Sequence, residues 1–290
     1  MRLVSYSVGG KARIGLLSAD GEHVIEASEV LHDLPGSMIE LISHWAEHEH
    51  QLKRLQAAGT QILPLSGVHL LPPVPRPGKI LAIGLNYAAH VAEMSRERPE
   101  YQTWFCKLSS AANGPFDPID LPAVSEKLDY EAELVVVIGR RCRHVPAAHA
   151  RDVVFGYMAG NDVSVRDWQV RTPQWILGKS FDTHAPYGPA IVTADEVPDP
   201  HALGIRCLVN GEIRQDANTN QLLFPIWEQI GYLSQALTLE PGDLLFTGTP
   251  AGVAAGMKPP QWLKAGDRVR VEIDGVGAIE NEVRPELTRR

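Results

Sequence analysis

The alternation of apolar and polar positions predicts strands at the start of the chain. Arg2 to Val8, Arg13 to Ser18 and His23 to Glu26 repeat with a period of two, as half-buried strands do. Gly9-Gly10 and Asp20-Gly21 separate them as hairpin-type turns. The period then lengthens. Met38, Ile42, Trp45, Leu52 and Leu55 fall at helical spacing. Ser37, with Glu40 three residues on, is a capping-box signature, and Gly59 is a stop signal, so one or two helices are expected. Pro72-Pro73-Val74-Pro75-Arg76-Pro77-Gly78 reads as a stiff, extended connector. A small N-terminal α+β domain over residues 1–71, a linker over 72–78 and a main domain over 79–290 follow from this pattern.

The main domain is rich in strand signals. Lys79 to Gly84 reads as a strand, and Leu128 to Gly139 ends in a Val/Ile run closed by glycine, which favours a buried strand. Gly156 to Gln169 runs from a strand into a polar turn, and Pro146 to Asp152 fits a short helix. Ile205 to Gln215 is a hairpin turning at Asn210-Gly211, and Leu222 to Leu237 has helical spacing. Glu240 to Asp243 is a turn leading into a strand over Leu244 to Phe246. Leu263 to Val283 reads as strand, Asp274-Gly275 turn, strand. The class is α+β, mainly β. Residues 95–103 are polar and contain a proline: a surface loop, or a mobile lid beside His90.

Composition removes several classes of function. At 290 residues, with 44% hydrophobic and 21% charged residues, the chain is long enough for a sizeable core. A net charge of −8 without a basic run disfavours nucleic acid and membrane surfaces as partners. No apolar run approaches the roughly 20 residues of a membrane helix. Cys106, Cys142 and Cys207 form no CxxC, and we expect free thiols in a reducing cytoplasm.

Candidate chemistry centres on Glu131 and Glu133. On a strand both carboxylates point to one face, with Cα atoms about 6.5 to 7 Å apart. Val135 and Val137 continue that face into a core. Two like charges there repel and lose hydration, so a cation between them is expected. A hard divalent cation prefers such oxygen ligands. A strand end with solvated or Arg-paired acids fits the same residues.

His90 and Glu93 would share a face of one helical turn, and a carboxylate beside an imidazole suits a general base. An ordinary surface pair has the same spacing. Asp162, Arg166, Asp167 and Gln169 crowd one polar turn. Gly178-Lys179-Ser180 is not a phosphate loop, because Pro173 stands where the loop needs glycine. Lys179 is therefore a cation for an anionic ligand or a surface lysine. Thr247-Gly248-Thr249-Pro250-Ala251-Gly252 is a small-residue loop whose N–H groups could approach an anion, or a tight turn. His44, His48 and His50 are assigned to the solvated face of their helix.

These pieces, in this order, resemble the fumarylacetoacetate hydrolase family from about Lys79 to Val283. The resemblance is carried by Gly84-Leu85-Asn86-Tyr87-Ala88-Ala89-His90 with Glu93, and by Tyr130-Glu131-Ala132-Glu133-Leu134. It continues through Asn161-Asp162-Val163-Ser164 with Arg166-Asp167 and Gln169, then Gly178 to Thr183, Pro241-Gly242-Asp243, and Thr247-Gly248-Thr249-Pro250 with Gly252. The tail Lys258 to Asp267 looks like the domain-containing 2 branch.

The resemblance implies a mixed β-sandwich roll, usually a homodimer. It implies Mg²⁺ or Mn²⁺, with Ca²⁺ a further option, held by Glu131, Glu133 and Asp162. It implies a C–C hydrolase of β-diketo acids of the acylpyruvate type. His90 and Glu93 would activate water, Lys179 would stabilise the pyruvate enolate, and Arg166, Gln169 and Thr249 would hold substrate oxygens. An oxaloacetate-type decarboxylase, or an isomerase or tautomerase, would use the same site. A non-catalytic oxo-acid-binding protein is the reading from another class. Lys107-Leu108 departs from the family's frequent Lys-Pro, at the pocket wall.

Overall fold

The computed structural model describes residues 1–60 and 62–287. The strand Ala132–Ile138 lies at its centre and all seven of its residues are buried. Its two faces meet different layers. Leu134, Val136 and Ile138 pack into a core with Ile205, Val271 and Ile279, and with Ile230 of the helix Ile226–Ala236. Val135 and Val137 pack into a second core with Leu41, Ile42 and Leu52. A strand buried on both faces has no solvent side to mark with polar residues, which is why this segment is a continuous Val/Ile run.

Among the described residues, the main sheet has twelve strands. Ala132–Ile138 pairs antiparallel with Val154–Asn161 on one side and with Leu244–Phe246 on the other. Leu244–Phe246 then pairs in parallel with Ile80–Gly84, and that strand pairs with Thr103–Lys107. Beyond Val154–Asn161 the sheet continues through Ala185–Thr193 to Arg2–Val8 and the N-terminal hairpins. The sheet therefore runs across the proline-rich segment without a break. A second sheet orders Glu212–Asn218, Gly204–Val209, Arg268–Ile273, Gly277–Pro285 and Ile119–Leu121. The fold is α+β and mainly β, with two mixed sheets enclosing the larger core.

Most local expectations hold, with shifts that have physical reasons. Ser37 caps the helix Met38–Ser43 by accepting the Glu40 N–H, and Gly59 ends Trp45–Ala58 in the left-handed conformation. His48 is not on the solvated face. It follows the stripe of Leu52 and Leu55 at i, i+4, i+7 and is buried with them, whereas His44 and His50 are exposed. The helix expected from Leu222 begins only at Ile226, after Pro225. The strand expected from Leu263 begins at Arg268. The helix expected at Pro146 is a 3-10 turn over Ala147–Val153. No helix among the described residues is long and apolar enough to cross a membrane, and the three cysteines are free thiols.

Candidate active site

Strand register assembles the acids. Ala132 stands opposite Asn161, and the ladder extends one step further, where the Asp162 N–H donates to the Glu131 carbonyl at 2.9 Å. Glu131 thus sits one residue ahead of its strand rather than inside it. Its own N–H donates to the Asn161 side chain at 2.9 Å. Carboxylate oxygens of Glu131, Glu133 and Asp162 lie within 4.8 Å of one another, and all three residues are buried.

Cations surround this cluster. Lys179 Nζ is 2.6 Å from Glu131 and 2.7 Å from Asp162. It arrives on the short helix Ile176–Lys179, which abuts the Arg166–Gln169 turn so closely that a Cβ on Gly178 would lie 2.3 Å from the Gln169 nitrogen. Glycine is required there for close approach. Arg166 donates to Glu131 at 2.7 Å through Nη1, which also meets Gln169 Oε1 at 2.9 Å. Lys107, at the end of the strand Thr103–Lys107, meets Asp162 at 2.6 Å.

Glu133 has a different partner. It accepts the Gly248 N–H at 2.7 Å. Gly248 holds a positive φ of 102°, and a Cβ there would meet Asn86 at 2.6 Å. The Thr247–Gly252 loop does aim N–H groups at anions, but these are the protein's own carboxylates. Its Gly252 N–H donates to Glu93 Oε1 at 2.8 Å.

The electrostatics leave one carboxylate short of a cation. Asp129, Glu131, Glu133 and Asp162 are buried beside Lys107, Arg166 and Lys179. Burial would raise the Glu131 pKa, but Lys179 and Arg166 outweigh it and hold it down to about 2. Burial, then Asp162 and Glu131, push Glu133 well above the usual carboxylate range. Burial would lower Lys179, but Asp162 and Glu131 keep its pKa raised. Burial lowers Lys107 despite Asp162. Three convergent carboxylates with one uncompensated charge fit a hard divalent cation, and that donor set selects oxygen-preferring ions.

The cavity over this cluster has a volume of about 400 Å³ and is lined by His90, Arg166, Gln169, Lys179 and Thr249 together with Glu131 and Glu133. His90 Nδ1 lies 3.2 Å from Glu93 Oε2. A carboxylate only accepts, so Nδ1 carries the proton and Nε2 is left as a base. Glu93 itself is outside the lining. Trp175 walls one side, against Phe105. Residues 95–102 form an exposed loop, and Arg96 from it lines the cavity.

Residues 79–284 match the family model described as Fumarylacetoacetate (FAA) hydrolase C-terminal. The chain belongs to the fumarylacetoacetate hydrolase family. Oxaloacetate tautomerase FAHD2A, mitochondrial, of Bos taurus is 44% identical over 98% of this chain and 91% of its own length. Maleylpyruvate hydrolase from Sphingobium sp. SYK-6, solved with manganese(II) and pyruvate, is 34% identical with a TM-score of 0.84, covering 99% of this chain and 100% of that one. The 5-carboxymethyl-2-hydroxymuconate delta-isomerase from Mycobacterium smegmatis is 34% identical with a TM-score of 0.78 over the same shares, 99% and 100%. The chain is therefore an enzyme of a family whose members are named tautomerases, hydrolases and isomerases.

In this member of the fumarylacetoacetate hydrolase family, His90, Lys179, Glu131, Glu133, Asp162, Arg166, Gln169 and Thr249 line the cavity or belong to its acid cluster, and Glu93 reaches it only through His90. Two buried residues escaped the sequence reading as site groups. Lys107 marks only a departure at the pocket wall when read locally, because its partner Asp162 is 55 residues away. Asp129 did leave a signal, since it continues the period-two acid series of Glu131 and Glu133.

Proposed function

We propose that this enzyme moves a proton at the carbon next to the oxo group of a small 2-oxo dicarboxylic acid, with the enol–keto tautomerisation of oxaloacetate as the reaction that fits best. One observation carries the reading. Glu93 is held by two contacts, Oε2 with His90 Nδ1 and Oε1 with the Gly252 N–H, and so orients the imidazole. His90, which lines the cavity, thereby keeps Nε2 as its one free ring nitrogen and serves as a single proton carrier. Tautomerisation needs such a carrier and no activated water. The 44% identity to a bovine protein named oxaloacetate tautomerase supports the same reading.

In the enol-to-keto direction, His90 Nε2 takes the enol hydroxyl proton and delivers it to C3, so one proton is moved and none is gained or lost. The reverse reaction takes the C3 proton onto Nε2. Lys179 supplies positive charge where negative charge develops on the oxo oxygen. Arg166 Nη2 is buried without a protein partner and is the donor for a substrate carboxylate. Gln169 keeps its amide N–H₂ for a substrate oxygen. Thr249 Oγ1 accepts from Gln215 at 2.7 Å, which leaves its hydroxyl proton to donate. A divalent cation held by Glu131, Glu133 and Asp162, Mg²⁺ or Mn²⁺ by donor type, would supply Lewis-acid stabilisation of the oxo oxygen.

The rim supports a second carboxylate on the substrate. Arg96 and Lys127 line the cavity, and neither makes an ion pair among the described residues. Unpaired cations at one cavity of a chain with net charge −8 favour an anionic ligand.

C–C hydrolysis of an acylpyruvate is the second reading, favoured by the likeness to maleylpyruvate hydrolase. It would require a water between His90 and the substrate. The test incubates the Mn²⁺-loaded protein with enol-oxaloacetate and with an acylpyruvate, following enol absorbance, pyruvate and CO₂ separately. Enol loss above the metal-only rate without pyruvate supports the tautomerase. Pyruvate plus a second acid from the acylpyruvate favours the hydrolase, and stoichiometric CO₂ from oxaloacetate favours a decarboxylase. We further propose a homodimer, in a reducing compartment such as the cytoplasm. A monomer by sedimentation would remove the dimer.

A further inference from the structure

Asp129 is fully buried and does not line the cavity. Its carboxylate nevertheless ties two parts of the site together. Oδ2 accepts from Arg166 Nε at 2.7 Å and from the Ala255 N–H at 3.0 Å. Oδ1 accepts from the Ala254 N–H at 2.8 Å and from its neighbour Tyr130 N–H at 2.8 Å. A carboxylate offers about four acceptor positions, and these donors fill them.

The first consequence concerns Arg166. A guanidinium is a rigid planar fork, so fixing two of its nitrogens fixes the third. Asp129 holds Nε, while Glu131 and Gln169 hold Nη1. Nη2 is left buried, unpartnered and on a group that lines the cavity.

The second consequence concerns the base. Asp129 anchors the 3-10 turn Ala254–Gly256 by its first two N–H groups. That turn presses on Glu93: a Cβ on Gly256 would lie 2.2 Å from the Glu93 carboxyl carbon. The same segment donates the Gly252 N–H to Glu93 at 2.8 Å. Glu93 in turn orients His90.

We infer that Asp129 is a positioning residue for the reaction, aiming the free Arg166 donor at a substrate carboxylate and fixing the turn that holds Glu93 against His90. The inference rests on the reading of this cavity as a 2-oxo acid site. Asparagine in its place offers one acceptor oxygen and an amide that faces donors, so it can serve either the pair Arg166 Nε and Ala255 N–H or the pair Ala254 N–H and Tyr130 N–H, but not both.

The experiment measures oxalate binding to the Mn²⁺-loaded protein by calorimetry, because planar oxalate mimics the enolate of a 2-oxo acid. Wild type, Asp129→Asn, Arg166→Met and the double variant form a cycle. The inference expects Asp129→Asn to weaken oxalate tenfold or more with Mn²⁺ affinity unchanged. It expects the double variant to bind within about twofold of Arg166→Met alone, since Asp129 acts on this ligand through Arg166. Multiplying losses in the double variant, or wild-type affinity in Asp129→Asn, overturns the inference alone. Wild-type protein that does not bind oxalate overturns the functional reading and this inference together. If Asp129→Asn does not fold, Arg166→Lys decides. Lysine keeps the charge but cannot both rest on Asp129 and present a second fixed donor, so a tenfold loss is expected and full affinity overturns the inference.

Discussion

The Asp162 N–H donates to the Glu131 carbonyl at 2.9 Å, so backbone pairing itself sets two carboxylates of the cluster side by side. Their geometry does not depend on side-chain packing alone. It is built into the ladder that joins Ala132–Ile138 to Val154–Asn161.

Glu133 is the acid of this cluster without a cation of its own. Glu133→Gln keeps the volume and the acceptor for the Gly248 N–H while removing one buried negative charge. The metal-free variant should melt no lower than the metal-free wild type. The wild type should gain about 2.7 kcal/mol at a Mn²⁺ concentration 100 times its Kd, and the variant should lose that gain. A Mn²⁺ response equal to wild type would exclude Glu133 as a ligand.

His90→Ala removes the proton carrier and leaves the carboxylates in place. Turnover should fall about 10²-fold or more, with Mn²⁺ affinity unchanged. Glu93→Gln keeps an oxygen for the His90 Nδ1 proton but no charge, and its loss should be smaller. Undiminished turnover in His90→Ala would remove this histidine from the chemistry.

Lys127 is exposed on the rim, yet its backbone carbonyl is pinned by the Arg166 N–H at 3.0 Å. Its backbone is therefore fixed relative to Arg166, and its flexible side chain carries a positive charge at the cavity rim. Lys127→Met should raise KM for oxaloacetate about three- to tenfold with kcat nearly unchanged, because a rim charge contributes on the order of 1 kcal/mol. The effect should shrink at high salt. Equal KM values at low salt would show that the second carboxylate lies elsewhere.

His184 gives the acid limb of stability a named contributor. It is buried against Phe181, with Nε2 on the Asp120 carbonyl at 2.8 Å, and burial lowers its pKa from 6.5 to about 3. The unfolded chain therefore binds a proton that the folded chain refuses as pH falls below 6.5. Stability from this group is complete above that value and is lost as pH drops toward 3. At 1.36 kcal/mol per pH unit the loss between pH 7 and pH 5 is about 2 kcal/mol. His184→Gln should make the denaturation midpoint less sensitive over that interval. An identical pH slope in the variant would place the acid lability in other groups.

Features that depend on near neighbours were legible in the sequence. The hairpins at Gly9-Gly10 and Asn210-Gly211 and the stop at Gly59 rest on glycine and asparagine at positive φ, which the sequence states directly. The Glu131/Glu133 spacing and the His90–Glu93 pair are likewise local. Features made by distant pairing were not legible. Lys107 looks like a strand-end lysine until the sheet brings Asp162 to it, and two of the four donors that fill Asp129 come from Ala254 and Ala255, over a hundred residues on. His48 shows the limit of residue type as a guide: a polar side chain on a helix's apolar stripe is buried by its neighbours.

The double-sided burial of Ala132–Ile138 constrains how this protein can be reshuffled. The segment matching the family model starts at residue 79, but Val135 and Val137 are covered by Leu41, Ile42 and Leu52 from before it. Excising the first 78 residues would strip one face from the strand that carries Glu133 and would open a sheet edge at Ala185–Thr193. The leading segment is thus not an interchangeable appendage. A chimera that grafts a foreign leader onto this catalytic portion must reproduce that apolar underside, or it will aggregate before it can be assayed.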